Sequence, residues 1–328
     1  MQTKPTIVSG IQPTGPLHIG NYLGAVRNWV ELQASGEYEM YIFIADLHSL
    51  TGNMTAEARR EQITRTAAEL LAAGIDPEKT TLFVQSHVPG HTELGWIFNC
   101  VTPIAELERM TQFKDKAVRQ KKNINAGLFT YPVLQAADIL LYHGTRVPVG
   151  EDQVQHVELT RDIARWFNNR YGDYFPETKA LLTKIPRVMS LLAPEKKMSK
   201  SLGEGQVIEL ADEPGTVENK LKRAVTATTG GGSAPGAENL LVLLNEFGDE
   251  DIYQRFAAAE KDGSIRYSDL KMAVSKAVSG YFTEFRKKRK ELLANQEEIA
   301  NVLKKGAEKA QAIADRTMSE IMKLVGVR

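Results

Sequence analysis

Gly10-Ile11-Gln12-Pro13-Thr14-Gly15-Pro16-Leu17-His18-Ile19-Gly20-Asn21-Tyr22-Leu23-Gly24-Ala25 decides how this chain is read. The apolar run Thr6-Ile7-Val8 leads into it and predicts a buried strand. An amphipathic run over 21–33 leaves it and predicts a helix. Glycine permits backbone geometry and close approach that other residues forbid. A helix N-terminus presents unpaired N–H groups and a partial positive charge. Strand, glycine-rich turn and helix start together suggest a cradle for phosphate.

Outward from this stretch the first half alternates. Strands are expected at 39–44 and 81–85, with helices over 55–73 and 91–100 between and after them. Gly74 stands where a helix C-cap belongs, and Pro77 follows. Such alternation implies right-handed βαβ units and a parallel sheet. Helical patterns then cover 104–122 and 132–142, with Pro132 placed as a first-turn proline. An extended piece at 146–149 and a helix over 151–169 follow, and 187–191 reads as the last strand. Beyond about Val207 the chain reads as helical, with a flexible loop at 230–236 and long helices over 267–294 and 296–325. The expected architecture is α/β. A Rossmann-like, doubly wound parallel sheet spans 1–205 with a helical insertion at about 104–145, and an all-α domain spans 206–328.

Composition narrows the function classes. The chain has 328 residues, with 41 basic and 41 acidic side chains. That balance names no polyanionic partner, although a local basic stripe can still bind nucleic acid. One cysteine, Cys100, excludes internal disulfides and thiolate metal clusters. No stretch approaches the roughly 20 apolar residues of a membrane helix, and no apolar leader opens the chain. A cytoplasmic protein is expected. The three tryptophans, Trp29, Trp96 and Trp166, fall on amphipathic helices and read as core.

The chain lacks a Walker P-loop, a G-x-G-x-x-G after a strand and a G-x-S-x-G elbow. Two other segments stand out. His18 at the helix start can donate to a phosphate oxygen, and Gly20 lets a nucleotide lie against the backbone. Lys197-Met198-Ser199-Lys200-Ser201 carries two mobile point charges among small hydroxyl residues, able to close over a triphosphate. Each segment alone is compatible with an ordinary turn or a solvated basic loop. Both, however, would lie at the carboxyl edge of one parallel sheet, where ligands bind in such folds. Tyr131, Gln135, Asp138 and Tyr142 share one polar helical face in an otherwise apolar run. Asp138 there is either a structural ion-pair partner or an acceptor for a substrate donor, since a buried carboxylate must be paired or hydrogen-bonded. Gly150-Glu151-Asp152-Gln153 suits ribose hydroxyls and a polar substrate end, or equally an acid-decorated helix start.

These segments resemble the class I aminoacyl-tRNA synthetases. His18-Ile19-Gly20-Asn21 is a variant of their HIGH signature, and Lys197 to Ser201 is an unaltered KMSKS signature. Gly10 to Gly15, Glu106 to Lys114, Tyr131 to Tyr142 and Val147 to Gln153 are similar to the bacterial and mitochondrial tryptophanyl-tRNA synthetase family. The resemblance runs from about residue 6 to the end and thins after Ser201. It implies ATP-dependent activation of L-tryptophan and transfer to tRNA(Trp), with ATP as substrate, Mg²⁺, and a homodimer. It implies Lys114, Lys197 and Lys200 as catalytic cations. It places nucleotide against Gln12, Pro13, Thr14, His18, Gly20, Asn21, Gly150, Glu151, Asp152, Val188, Met198, Ser199 and Ser201. Tryptophan would meet Asp138, Tyr131, Gln135, His48, Gln153 and Val8, with tyrosine as the alternative substrate because a phenol also donates. Anticodon contact falls to the helical C-terminal region, and Arg286 to Lys290 and the 114–122 run are candidate phosphate binders. His87, His91, His143 and His156 have no such support and read as structural or surface. The chain departs from the family in having Leu202-Gly203 after the second signature, and at Val8, Leu47, Gln135 and Ala227. These positions bear on pocket shape rather than on the charged groups.

Overall fold

The computed structural model describes residues 4–110, 125–182, 186–199, 202–226 and 235–327. Five strands, β1 (Thr6–Ile11), β2 (Glu39–Ile44), β3 (Thr80–Val84), β4 (Arg146–Val149) and β5 (Lys179–Leu182), form one sheet. Their order is β3-β2-β1-β4-β5 and every pair is parallel. In register, Thr6 lies beside Glu39, Met40 beside Thr80 and Arg146 beside Lys179. The strand order reverses direction between β1 and β4, which makes the carboxyl end of β1 the topological switch point. β2 is buried from Met40 to Ile44, as expected of a parallel strand covered on both faces.

The last strand is β5, not the expected 187–191 run. Among the described residues, 187–191 forms an isolated antiparallel bridge, Met189 to Lys197, rather than a ladder with the sheet, and Leu191 bonds Gln206 C=O and Val225 N–H. The apolar residues there are real, but they line a tight turn: Met198 N–H donates to Val188 C=O at 3.0 Å and Ser190 N–H to Lys196 C=O at 2.8 Å. Pro132 is also placed differently. Its helix begins at Ala126, with the Asn125 side chain accepting from Leu128 N–H at 2.9 Å, so the proline sits mid-helix at the cost of one backbone hydrogen bond. The 104–122 pattern is helical over Ile104–Glu108, and the part beyond 110 lies outside the described residues, as does most of the expected 230–236 loop. The single helix expected over 267–294 is two, Tyr267–Tyr281 and Thr283–Ala294. Trp29 is buried as expected, but Trp96 is 72 % exposed. On its helix, Gly90–Asn99, the inward stripe is His91, Leu94, Gly95 and Phe98, which turns Trp96 outward.

The chain divides into two compact units, one of residues 1–15, 28–183 and 292–328, the other of 16–27 and 184–291. This differs from one cut near residue 205, for two physical reasons. The 30-residue helix Gln296–Val325 lays a buried stripe of Ile299, Leu303, Gly306, Ala310, Ala314, Thr317 and Ile321 along the sheet unit. It covers the edge strand β3, which would otherwise expose unpaired backbone. Gly306 allows the approach: a Cβ there would lie 1.8 Å from Leu82 O. In the other unit, Leu17 to Ile19 joins the later chain. Ile19 N–H donates to Ile208 C=O at 3.0 Å, Leu210 N–H donates to Leu17 C=O at 2.9 Å, and His18 bridges Glu209. Among the described residues no helix is long and apolar enough to cross a membrane.

Candidate active site

In the sheet unit, polar side chains converge where β1, β2 and β3 end. β2 runs into a short helix, Asp46–Ser49, that carries His48. Asp46 Oδ1 accepts from Ser86 N–H at 3.0 Å, and Ser49 Oγ donates to Asp46 C=O at 2.6 Å and accepts from Arg59 Nε at 2.8 Å. These bonds tie the two strand ends together and fix the turn bearing His48. Gln85, the residue after β3, is fully buried, and the following helix brings His91 inward.

All three side chains meet Asp138. Its Oδ1 accepts from Gln85 Nε2 at 2.6 Å and His91 Nδ1 at 2.7 Å, and its Oδ2 accepts from His48 Nε2 at 2.7 Å. Asp138 is 1 % exposed. Burial pushes its carboxyl up, but the charge and hydrogen bonds of His48 and His91 outweigh burial and hold it at about 2. The group is therefore an ionised, acceptor-only carboxylate at neutral pH. Its native value lies below that of the unfolded chain, so it stabilises the fold above pH about 4, and this stabilisation is lost as pH falls toward 2. Urea melts across that window should show an acid loss on the order of 2 kcal/mol that an Asp138→Ala variant lacks.

The other expected tryptophan contacts separate. Tyr131 is buried, and its hydroxyl shares a hydrogen bond with His156 Nε2 at 2.9 Å. Burial pushes the Tyr131 phenol up to about 12. Gln135 is half-buried one helical turn before Asp138. Val8 is wholly buried in the core cluster with Tyr41, Phe43 and Tyr142. Gln153 is half-buried at the end of a one-turn 3-10 helix, Glu151–Gln153, with its N–H on Gly150 C=O at 3.0 Å. Glu151 is exposed, and the Asp152 side chain lies outside the description. Gln12 and Thr14 are exposed around buried Pro13, with Thr14 N–H on Gln12 C=O at 2.9 Å.

The second unit holds both signatures. Asn21 Oδ1 accepts from the backbone N–H of His18 at 3.2 Å, so this side chain stabilises the turn itself. A Cβ on Gly20 would lie 2.9 Å from the His18 ring and 3.7 Å from Met198 Cβ. The first signature thus packs directly on the second. Met198 and Val188 are buried, Lys197 is exposed and Ser199 is half-buried. Five residues after His18, Tyr22–Val26, are π-helical, a form that recurs at functional sites. The Tyr22 hydroxyl pairs with the Tyr281 hydroxyl at 2.8 Å inside a ring cluster with Phe247 and Phe282, and Arg27 pairs with Glu246 at 2.6 Å. Lys114, Lys200 and Ser201 lie outside the described residues.

Sequence reading missed Gln85, His91 and His156. Gln85 carried a signal, a polar residue closing an apolar buried strand. Its Oε1 is buried with no partner among the described residues. His91 and His156 read as structural or surface, and both are buried partners of expected site residues. His87 is exposed and His143 half-buried.

An open parallel sheet with acceptor and imidazole groups beyond the ends of β2 and β3, and a packed pair of HIGH-like and KMSKS segments, defines a class I synthetase. The family model for class I tRNA synthetases (W and Y) matches residues 1–283, and the chain belongs to that family. A curated tryptophan–tRNA ligase from Clostridium tetani (strain Massachusetts / E88) is 43% identical over 330 residues, covering 98% of this chain and 96% of that protein. The tryptophanyl-tRNA synthetase of Campylobacter jejuni, solved with ADP and tryptophan, superposes with a TM-score of 0.86 at 35% identity. It covers 98% of this chain and 100% of that one. The Mycoplasma pneumoniae tryptophanyl-tRNA synthetase has a TM-score of 0.86 at 33% identity, with 99% of each chain covered.

Proposed function

We propose that the chain is a tryptophan–tRNA ligase, which activates L-tryptophan with ATP and transfers it to tRNA(Trp). The observation that carries the substrate is Asp138, a buried carboxylate held by three donors and kept ionised by His48 and His91. The indole N–H is a donor with no acceptor capacity, and an ionised carboxylate is its complement. His48, Tyr131, Gln135, Gln153 and Val8 are assigned to the walls and polar end of the tryptophan site.

In the first step the tryptophan carboxylate oxygen attacks the α-phosphorus of ATP. The bond to the bridging oxygen breaks and pyrophosphate leaves. The substrate supplies the nucleophile, so the protein's part is positioning and charge stabilisation. His18, Gly20 and Asn21 with the 197–201 segment are assigned to the phosphates. Gln12, Pro13, Thr14, Gly150, Glu151, Asp152 and Val188 are assigned to the rest of the nucleotide. Lys114, Lys197 and Lys200 are assigned to the charge that develops on pyrophosphate. Among the described residues no cluster of three His, Cys, Asp or Glu side chains could hold a metal. Mg²⁺ is assigned to the triphosphate, its usual carrier. In the second step a hydroxyl of the tRNA terminal ribose attacks the activated carbonyl and AMP leaves. The helical region beyond residue 206, with Arg286 to Lys290, is assigned to tRNA, and a cytoplasmic homodimer is the assigned working form. Trp96 and Ile104, 72 % and 67 % exposed, are the apolar side chains offered for the dimer contact.

ATP–pyrophosphate exchange tests the cation assignment. Lys197→Ala should lower kcat on the order of 100-fold while leaving the KM for tryptophan unchanged. An unaltered kcat would remove Lys197 from the catalytic groups.

A further inference from the structure

Asp138 is the inner end of a longer chain of contacts. A carboxylate offers about four lone-pair directions. Gln85 and His91 occupy both on Oδ1, and His48 occupies one on Oδ2. Among the described residues, one direction on Oδ2 is left for a further donor. His91 is fully buried, and its other ring nitrogen, Nε2, lies 2.8 Å from the Tyr142 hydroxyl. The Tyr142 ring in turn stacks on Tyr41, with centroids 4.8 Å apart and planes 13° from parallel. Burial and then the Asp138 charge drive the Tyr142 phenol upward, so its hydroxyl stays protonated against Nε2. With Tyr142 at Nε2 and Asp138 at Nδ1, both edges of the His91 ring are held. Its Nδ1 edge faces Asp138 Oδ1.

We propose that His91 is a positioning residue for tryptophan selection: anchored at Nε2 by the Tyr142 hydroxyl, it donates from Nδ1 to Asp138 and fixes the carboxylate so that the second lone pair of Oδ2 is offered to the indole N–H. The proposal rests on the assignment of Asp138 as the indole acceptor. His91 itself touches no reacting atom. Its effect is on which acceptor direction is open and how firmly it is aimed. A site built around a hydrogen bond rejects an analogue lacking the donor far more strongly than a greasy pocket rejects a methylene.

The test is the ratio of kcat/KM in pyrophosphate exchange for tryptophan against benzothienylalanine, which keeps the bicyclic shape and replaces the N–H with sulfur. The wild-type ratio should be about 100 or more. His91→Leu should lower it about tenfold, through the KM for tryptophan and not for ATP. His91→Asn, whose Nδ2 falls near the lost Nδ1, should restore most of it. Tyr142→Phe, nearly isosteric and safe for folding if His91→Leu is not, should lower it several-fold. A wild-type ratio near one would overturn the Asp138 assignment and this proposal with it. A large wild-type ratio left unchanged by Tyr142→Phe and by folded His91→Leu would overturn the proposal alone.

Discussion

Asp138→Asn should reduce kcat/KM for tryptophan on the order of 100- to 1000-fold in pyrophosphate exchange, with the KM for ATP nearly unchanged. The amide is the same size, so the cause is chemical. Gln85, His48 and His91 all direct N–H groups at this side chain, and the indole would bring a further donor. An amide replaces one acceptor oxygen with an NH₂ that faces donors. Buried donors left without an acceptor cost about 1–3 kcal/mol each, and the loss of a paired buried charge adds to that. The variant should therefore also be less stable, on the order of 3 kcal/mol by urea unfolding. Wild-type discrimination and stability together would show that Asp138 is neither the indole acceptor nor the centre of the buried network.

Gly306→Ala should be the most damaging single methyl in the sheet unit. Its Cβ would stand 1.8 Å from Leu82 O and 2.7 Å from Leu82 C. Both are backbone atoms of an edge strand, so no side-chain rotation relieves the contact. The helix Gln296–Val325 must lift away from β3 or distort it. Overpacking of this kind costs on the order of 3 kcal/mol, read as a lower urea midpoint with faster proteolysis after about residue 292. A stability equal to wild type would mean that the helix does not seat against β3 as described.

The parts of the fold legible in the sequence were those with a local cause. β1, β2 and β3 are short apolar runs bounded by glycine, proline and polar turns. The helix over 56–72 has Thr55 as its cap, accepting from Ala58 N–H at 3.2 Å, and Gly74 beyond its end. β5 was not legible. Lys179–Leu182 is four residues long, without alternation, and gains its strand identity only by pairing with β4. The 187–191 run misleads for the converse reason: it has strand composition, but its backbone pairs with its own turn, with Gln206 and with Val225 rather than with the sheet. Pro132 read as a helix start because proline is normally found there, and the cap that displaces the start to Ala126 is one asparagine.

The candidate site divides the same way. The two signatures and the polar face of Tyr131, Gln135 and Asp138 are visible because their residues are neighbours in sequence. That Gln85, His48 and His91 converge on Asp138 depends on which strands are adjacent, which the chain order does not state. His91 lies 47 residues from Asp138, and its helix pattern marks it only as inward-facing. Its position in the signature marks Asn21 as a nucleotide contact. The fold shows that its side chain also has a local task, on the His18 backbone.

The most direct measurement is tryptophan-dependent ATP–pyrophosphate exchange by the purified protein, run against each of the twenty amino acids. Exchange with tryptophan at least about 100-fold above every other amino acid, tyrosine included, is the predicted result. Exchange driven equally or better by tyrosine, or by none of the twenty, would contradict it.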